Sequence, residues 1–357
     1  MAGQEILKDS VGNETERIAK PKNQTIGGSK MKSKKFFVGI GGLALYLFMA
    51  SFWAAPASAV QELVPFYSPP AGGGAYILTA GMVSVSNKYM TGAKMVHEAT
   101  TGTMEEVRRL MLAYSQKKDA LATFGAADGW IAYQGKNEYE GKAFPNLRAI
   151  TFNQFVDLYL VVPTNSPIKS YADLKGKRLG VGGPASSVNN TALLIMEYYG
   201  ITKKDFKPYY FVYKETIEGI SDGSLDGGFL AGGYPMASYL ELSTTHSVRI
   251  VPVDEAISKK IIADHPGYYQ SVVKAKSYKG LDQDTPIMGW TGAVFTHAGA
   301  RPELIYGFLK NLFEHIEEFY TVHRDAKALT VENATKTIFV PFHPGAEKYL
   351  KEIGAMK

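Results

Sequence analysis

Along most of this 357-residue chain, short apolar runs of strand type give way to longer stretches whose apolar positions recur every third or fourth residue. GGGAYILTAGMVSVSNKYM predicts a strand end, a glycine turn and a helix. TMEEVRRLMLAYSQ predicts a second helix with a stripe of Val107, Leu110, Met111 and Tyr114, opened by a capping box of Thr103 and Glu106. ALATFGAADGWIAYQ reads as a small-residue strand and then a turn holding Asp128, and LRAITFNQFVDLYLVVP as two strands, the second over Leu158 to Val162. SSVNNTALLIMEYYG is helical up to Gly200, FKPYYFVY strand-like, KETIEGISDG helical, and LDGGFLAGGYP a strand running into a glycine turn. RPELIYGFLKNLFEHIEEFY predicts one long amphipathic helix with Pro302 in its first turn and Leu304, Phe308, Leu312, Ile316 and Phe319 on one face. Alternation of this kind predicts α/β layers built mainly on parallel strands.

The N-terminal segment departs from that pattern. Lys32, Lys34 and Lys35 precede a run without charge from Phe36 to Gln61, which ends in Pro56 and the triplet Ala57-Ser58-Ala59. A basic start, an apolar centre and a small-residue site make residues 31–59 a secretory signal peptide, cut after Ala59 to leave Val60 first. Residues 1–30 are polar and aperiodic and stand in front of that signal, so Met31 is the expected initiator. The export changes how the charge is read. The chain carries 39 Lys/Arg and 34 Asp/Glu, and the segment 1–59 accounts for 8 and 4 of them, leaving 31 and 30, a formal charge of +1. Such a balance offers no basic field to nucleic acid. With no cysteine there is no disulfide, no thiolate nucleophile or thiolate metal site, and no lipid attachment point after the signal. The expected mature protein is periplasmic and not embedded in the membrane.

Three catalytic or cofactor patterns fail on their context. GVGGPA (Gly180 to Ala185) matches a dinucleotide fingerprint, but Pro184 removes a backbone N–H where pyrophosphate needs donors, and Asp205 precedes the next strand instead of ending it. GISDG around Ser221 matches a nucleophile elbow with helix and strand in the wrong order. The seven histidines show no metal-ligand spacing. We therefore expect no catalytic residue, no metal and no cofactor. What recurs instead is a glycine turn between a small-residue strand and a helix, at Gly72-Gly73-Gly74, Gly182-Gly183-Pro184 and Gly232-Gly233-Tyr234-Pro235. Strand ends of this kind gather ligands in α/β sheets, and helix starts present free N–H groups to anions.

SPIKSYADLKGKRLGVGGPASS resembles the segment that opens the second lobe of type II periplasmic binding proteins. More narrowly the chain resembles the TAXI-type solute receptors of tripartite ATP-independent periplasmic (TRAP) transporters. The matching pieces are GGAYILTAG, TTGTMEEVRRL, FPNLRAI, DGSLDGGFLAGGYP, PGYYQSVVKAKSYKGLDQDTP and VPFHPGAEKYLKEIG, in family order from Gly72 to the C-terminus. The resemblance implies a Venus-flytrap of two α/β lobes joined by crossover strands, with residues 60–160 plus 289–357 in lobe 1 and 161–288 in lobe 2. It implies crossings near Asp157–Val161 and Met288–Gly292, two sheets and not one continuous sheet, and a C-terminal helix from Arg301 packed on lobe 1. It also implies capture of a small organic anion, a carboxylate or amino acid, and delivery to a sodium-coupled TRAP permease.

Carried over by position, the resemblance assigns Tyr76 and Thr79 to the first glycine turn, and Thr101, Gly102 and Thr103 to a helix start. It assigns Ser186, Ser187 and Asn189 to the second-lobe helix start, Gly232, Gly233 and Tyr234 to the next strand end, and Asp128 to the FGAADGW strand end. Ser187 and Asn189 are expected to offer their polar groups to the ligand carboxylate. Glu106 stands where many relatives have Asn near the first helix start, and a carboxylate at that place would repel an anion or bond an amine. An enzyme on the same scaffold and a ligand-sensing module remain open as alternatives, and the ligand itself is left open.

Overall fold

The computed structural model of the protein describes residues 61–71 and 73–357. The signal peptide, its cleavage after Ala59, the segment 1–30 and Gly72 lie outside the described residues. Among the described residues no helix is long and apolar enough to cross a membrane.

Two long strands organise the chain: β4 (Leu147–Pro163) and β10 (Thr285–His297). Seventeen residues of β4 extend about 55 Å at about 3.3 Å per residue, enough to serve two lobes. The two pair antiparallel from Met288↔Leu158 to His297↔Leu147. Toward one end, Gly292–Phe295 of β10 take β3 (Leu121–Gly125) as a further partner, and β1 (Glu62–Ser68) and β2 (Ala93–Ala99) continue from β3 in parallel. Toward the other end, β4 takes β7 (Gly227–Gly232) from Asp157 onward and β8 (Val248–Val251) from Leu160 onward. There β10 pairs with β9 (Tyr268–Val273), while β5 (Arg178–Gly180) and β6 (Lys207–Tyr209) extend from β7 in parallel.

Two expectations are corrected here. The ladder is a single ten-stranded network of mixed direction, because β4 and β10 belong to both lobes and are antiparallel to their neighbours. The segment 147–163 is one strand, not two. Its polar residues Asn153, Gln154 and Asp157 are buried within the paired strand instead of marking a turn.

Helices cover both faces of each lobe. In the first lobe these are α1 (Gly74–Tyr89), α2 (Thr103–Ser115), α3 (Ala126–Gln134), α8 (Pro302–Glu314), α9 (Ile316–Tyr320) and α10 (Pro344–Glu352). The second lobe has α4 (Ser187–Tyr198), α5 (Tyr213–Asp222), α6 (Ala237–Thr245) and α7 (Glu255–Asp264). Alternate strand residues feed opposite cores. Phe66, Phe152 and Phe308 share one core of the first lobe, and Ala122, Phe124 and Phe295 the other. In the second lobe Leu158 and Leu160 face one core, Tyr159 and Val161 the other. The expected long C-terminal helix is interrupted at His315, and its α8 half packs on the first lobe through Leu304, Phe308 and Leu312. The strand expected over FKPYYFVY shrinks to Lys207–Tyr209, which frees Phe211 and Val212 for the cleft. Ser221 lies inside α5 with its hydroxyl donating to the Ile217 carbonyl at 2.8 Å, the bonding of an ordinary helical serine.

Phe308 is fully buried and meets Phe66 edge to face at 5.7 Å, tying α8 to the sheet. Phe308→Ala should therefore lower the unfolding free energy by about 3–5 kcal/mol, the range for truncating a buried aromatic. Urea denaturation measures it, and a loss below about 1 kcal/mol would show that α8 does not depend on this contact.

Candidate functional site

Between the lobes, at the carboxyl ends of the parallel strands, lies a cavity of about 150 Å³. Its walls are made by helix beginnings. Gly73, Gly102, Gly125, Ser186 and Val212, the N-cap residues of α1, α2, α3, α4 and α5, all line it. Of the five, only Ser186 caps its helix with a side chain, accepting from the Asn189 N–H at 3.2 Å. The other four helices start without a side-chain cap, which leaves first-turn N–H groups without a partner in the helix, apart from the Glu105 N–H of α2, which donates to the Gly102 carbonyl at 3.0 Å. This arrangement has a local origin: each parallel strand ends in glycine or small residues, which lets the chain turn tightly into the next helix. Gly182 needs its glycine, since its φ of 78° and the nearby Val188 side chain exclude a Cβ.

The floor comes from the crossover strands through Gln154, Val156, Trp290 and Gly292, and Thr123 contributes from β3. Among the described residues that line it there is no Lys, Arg, His, Asp or Glu. Thr123 is 1% exposed and its hydroxyl has no hydrogen-bond partner.

Six of the residues expected at the site line this cavity: Thr101, Gly102, Thr103, Ser186, Ser187 and Gly232. The others do not. Tyr76 packs its ring on His97 at 4.6 Å, and the Thr79 hydroxyl is turned back onto the Ala75 carbonyl within α1. The Asn189 side-chain amide donates to the Val181 carbonyl at 3.1 Å inside its own lobe, so the expectation that it offers its amide to a ligand is corrected. Gly233 and Tyr234 face a second depression, lined also by Phe155 and Asp157, the residues of β4 that alternate with Gln154 and Val156. Sequence reasoning missed Gln154, Phe211, Val212, Tyr213 and Trp290. Only the last part of FKPYYFVY carried a usable signal, an apolar run directly ahead of a helix start.

Asp128 is placed differently from the expectation. It sits in the first turn of α3, not in a turn, and is 2% exposed. Its carboxylate accepts from the Ser187 hydroxyl at 2.6 Å and from the Asn190 amide at 2.9 Å, both on α4 of the opposite lobe. Thr103 on α2 adds a hydroxyl contact to Ser187 at 3.2 Å. The starts of α2, α3 and α4 thus meet in a polar seam across the lobes, and Asp128 belongs to that seam. Gly125 keeps its crossing open, since a Cβ there would collide with the Asp128 carboxylate.

Glu106 lies one turn into α2 and is fully buried, with neither carboxylate oxygen in hydrogen-bonding geometry. The expected capping box does not form: Gly102 is the N-cap, Thr103 turns to Ser187, and the Thr100 hydroxyl near Glu106 is committed to the Ser68 carbonyl. Burial above all, and then the negative Asp128, push the Glu106 carboxyl well above the usual carboxylate range. It is held neutral and does not repel an anion in the cavity.

The sign of its effect on stability follows. A carboxyl protonated in the fold and ionised in the unfolded chain makes the fold lose stability as pH rises from the ordinary carboxylate range toward the raised folded value, with a slope of up to about 1.4 kcal/mol per pH unit. Asp157, pushed up to about 6 by burial, acts in the same direction over a narrower window and is common to both proteins in the comparison. Glu106→Gln should therefore gain on the wild type in urea denaturation as pH rises above the ordinary carboxylate range. A gap that does not widen with pH would mean that Glu106 is ionised in the fold.

Residues 66–354 match the NMT1-like family. Among solved structures, the fold is similar to that of MatC from Rhodopseudomonas palustris with bound malate, at 13% identity over 83% of this chain and 97% of that one, with a TM-score of 0.52. Similarity extends to the periplasmic aliphatic sulphonate binding protein SsuA from Escherichia coli, at 18% identity over 81% and 78% of the two chains and a TM-score of 0.41. At these identities the likeness to MatC speaks for the fold, a pair of α/β lobes joined by crossover strands. The family match runs through both lobes and includes every residue that lines the cavity, so the chain belongs to the NMT1-like family.

Proposed function

We propose that the protein is an extracytoplasmic receptor that captures a small organic anion between its lobes and delivers it to a sodium-coupled permease of the TRAP type. The lobes on this reading are residues 60–160 plus 289–357 and residues 161–288. One observation carries the proposal: five helix N-termini, three from one lobe and two from the other, converge on a single cavity that has no basic side chain. A helix start contributes about 0.3–1 kcal/mol to a nearby negative charge when exposed and up to about 2 when partly buried. Several together rival the charge-assisted hydrogen bonds by which an arginine would hold a carboxylate, at about 1.5–3 kcal/mol each. They do so with backbone that is already in place. Among the described lining residues there is no His, Lys, Asp or Glu to activate the serine and threonine hydroxyls from within the cavity, which favours holding over chemistry. Because the anion touches both lobes, it favours the closed arrangement by its differential contacts.

The polar seam of Asp128, Ser187, Asn190 and Thr103 supplies the protein's own share of closure. Ser187→Ala removes a hydroxyl that meets both Asp128 and Thr103, and should weaken ligand binding about 10- to 100-fold while the melting temperature of the free protein moves little. Asn189→Ala, by contrast, should lower stability, because its amide serves the Val181 carbonyl. The screen that tests the function is a thermal-shift series of carboxylates and sulfonates. A true ligand at a hundred times its Kd adds about 2.7 kcal/mol of stability. The bound compound should be recovered unchanged by mass spectrometry, and sodium-driven uptake into cells carrying a TRAP permease should depend on the added receptor. Turnover of the compound would point to the enzyme reading instead, and uptake without the receptor would remove the permease from the proposal.

A further inference from the structure

We infer that the occupant of the cavity is a monoanion, a carboxylate on a compact apolar body of about benzene size, with neither an ammonium group nor a second carboxylate. The inference rests on the receptor reading above and names the ligand class for the same site.

The cavity is polar on one side. The helix starts supply an anion pole, and apart from Gln154 and Thr123 the rest of the wall is mainly apolar or aromatic: Phe124, Val156, Phe211, Tyr213, Phe229 and Trp290. A second, independent observation marks where the carboxylate goes. Thr123 on β3 is part of the cavity lining, and its buried hydroxyl has no partner, two residues before the N-cap of α3. Buried hydroxyls are rarely left in that state, since the lost solvation is not repaid. A carboxylate oxygen at the start of α3 would accept from Thr123 and from first-turn N–H groups together.

The same wall argues against other charges. A ligand ammonium would find no carboxylate among the described lining residues, only neutral acceptors such as the Gln154 amide oxygen, in a wall of positive helix ends. Asp128 stands just behind Gly125, but its two oxygens already accept from Ser187 and Asn190, and Glu106 is kept neutral by burial. With the helix starts occupied by the first carboxylate, a second would have no basic side chain among the described lining residues to meet it, a poorly compensated burial of charge. The volume agrees: about 150 Å³ is the size of an engineered apolar cavity that takes up benzene, and smaller than the usual range for drug-sized ligands.

The full chain offers its own readout, because Trp290 is in the wall. Titrations of the exported protein with benzoate, benzamide, glutamate and malate, followed by tryptophan fluorescence and calorimetry, separate the classes. Benzoate should bind about 100-fold or more tightly than benzamide, its neutral counterpart, and than glutamate and malate. Thr123→Val should weaken benzoate about tenfold, and Thr123→Ser should restore it to within about twofold, a pattern that loss of packing alone would not produce. Glutamate or malate binding as tightly as benzoate would overturn the ligand class and leave the receptor reading standing. Unchanged benzoate affinity in folded Thr123→Val would overturn the placement of the carboxylate. Absence of binding by benzoate overturns the inference, and only silence across the whole carboxylate and sulfonate screen would overturn the receptor reading with it.

Discussion

The antiparallel pairing of β4 with β10 is the constraint on which the remainder of the molecule hangs. Each of the two strands is long enough to pass through both lobes, and each changes its outer partner partway along. β10 exchanges β9 for β3 around Trp290 to Gly292, and β4 acquires β7 from Asp157. Lobe identity is thus set by which neighbour a crossover strand has at a given height. At the level of that exchange the inward side chains, Gln154, Val156 and Trp290, become the floor of the cavity. A slip of one residue in this register would turn Asp157 and Phe155 inward and move the floor residues to the opposite face.

Above the floor, parallel strands on either side deliver their helices start-first into the same space. The consequence is electrostatic. Positive ends of helices from both lobes face one another, an arrangement that is unfavourable until a negative charge is placed among them. The protein supplies part of that charge itself through Asp128, which lies in the first turn of α3 and accepts bonds from α4 across the cleft. Glu106, close enough to Asp128 to feel its charge, is excluded from that role by its burial and is held neutral. One carboxylate therefore joins the lobes and the neighbouring one falls silent, and the difference between them is access to hydrogen-bond donors.

Much of the fold was legible along the chain, and its particulars explain why. The strand–glycine–helix order around Gly182 and Gly232, the α/β class and the helix start at Ser186 are properties of contiguous residues, so periodicity and turn chemistry reveal them. Burial of the polar Asn153, Gln154 and Asp157 hides the continuity of LRAITFNQFVDLYLVVP, and the shortened strand in FKPYYFVY has a different reason. An apolar run looks alike whether it is paired in a sheet, buried on two faces, or exposed to a cleft.

What the sequence by itself determined is the set of local pieces: short strands ending in small residues, helices beginning in Gly, Ser and Thr, and the absence of cysteine and of any catalytic spacing. Which helix starts would meet, and which way their side chains would turn, was decided by tertiary structure. Asn189 and Asn190 make the point. They are adjacent and chemically identical, yet the rotation of about 100° between neighbours on a helix sends one amide to Val181 in its own lobe and the other across the cleft to Asp128. The chain contains both residues but not the direction of the opposite lobe, and only the docking of β4 on β10 defines that direction.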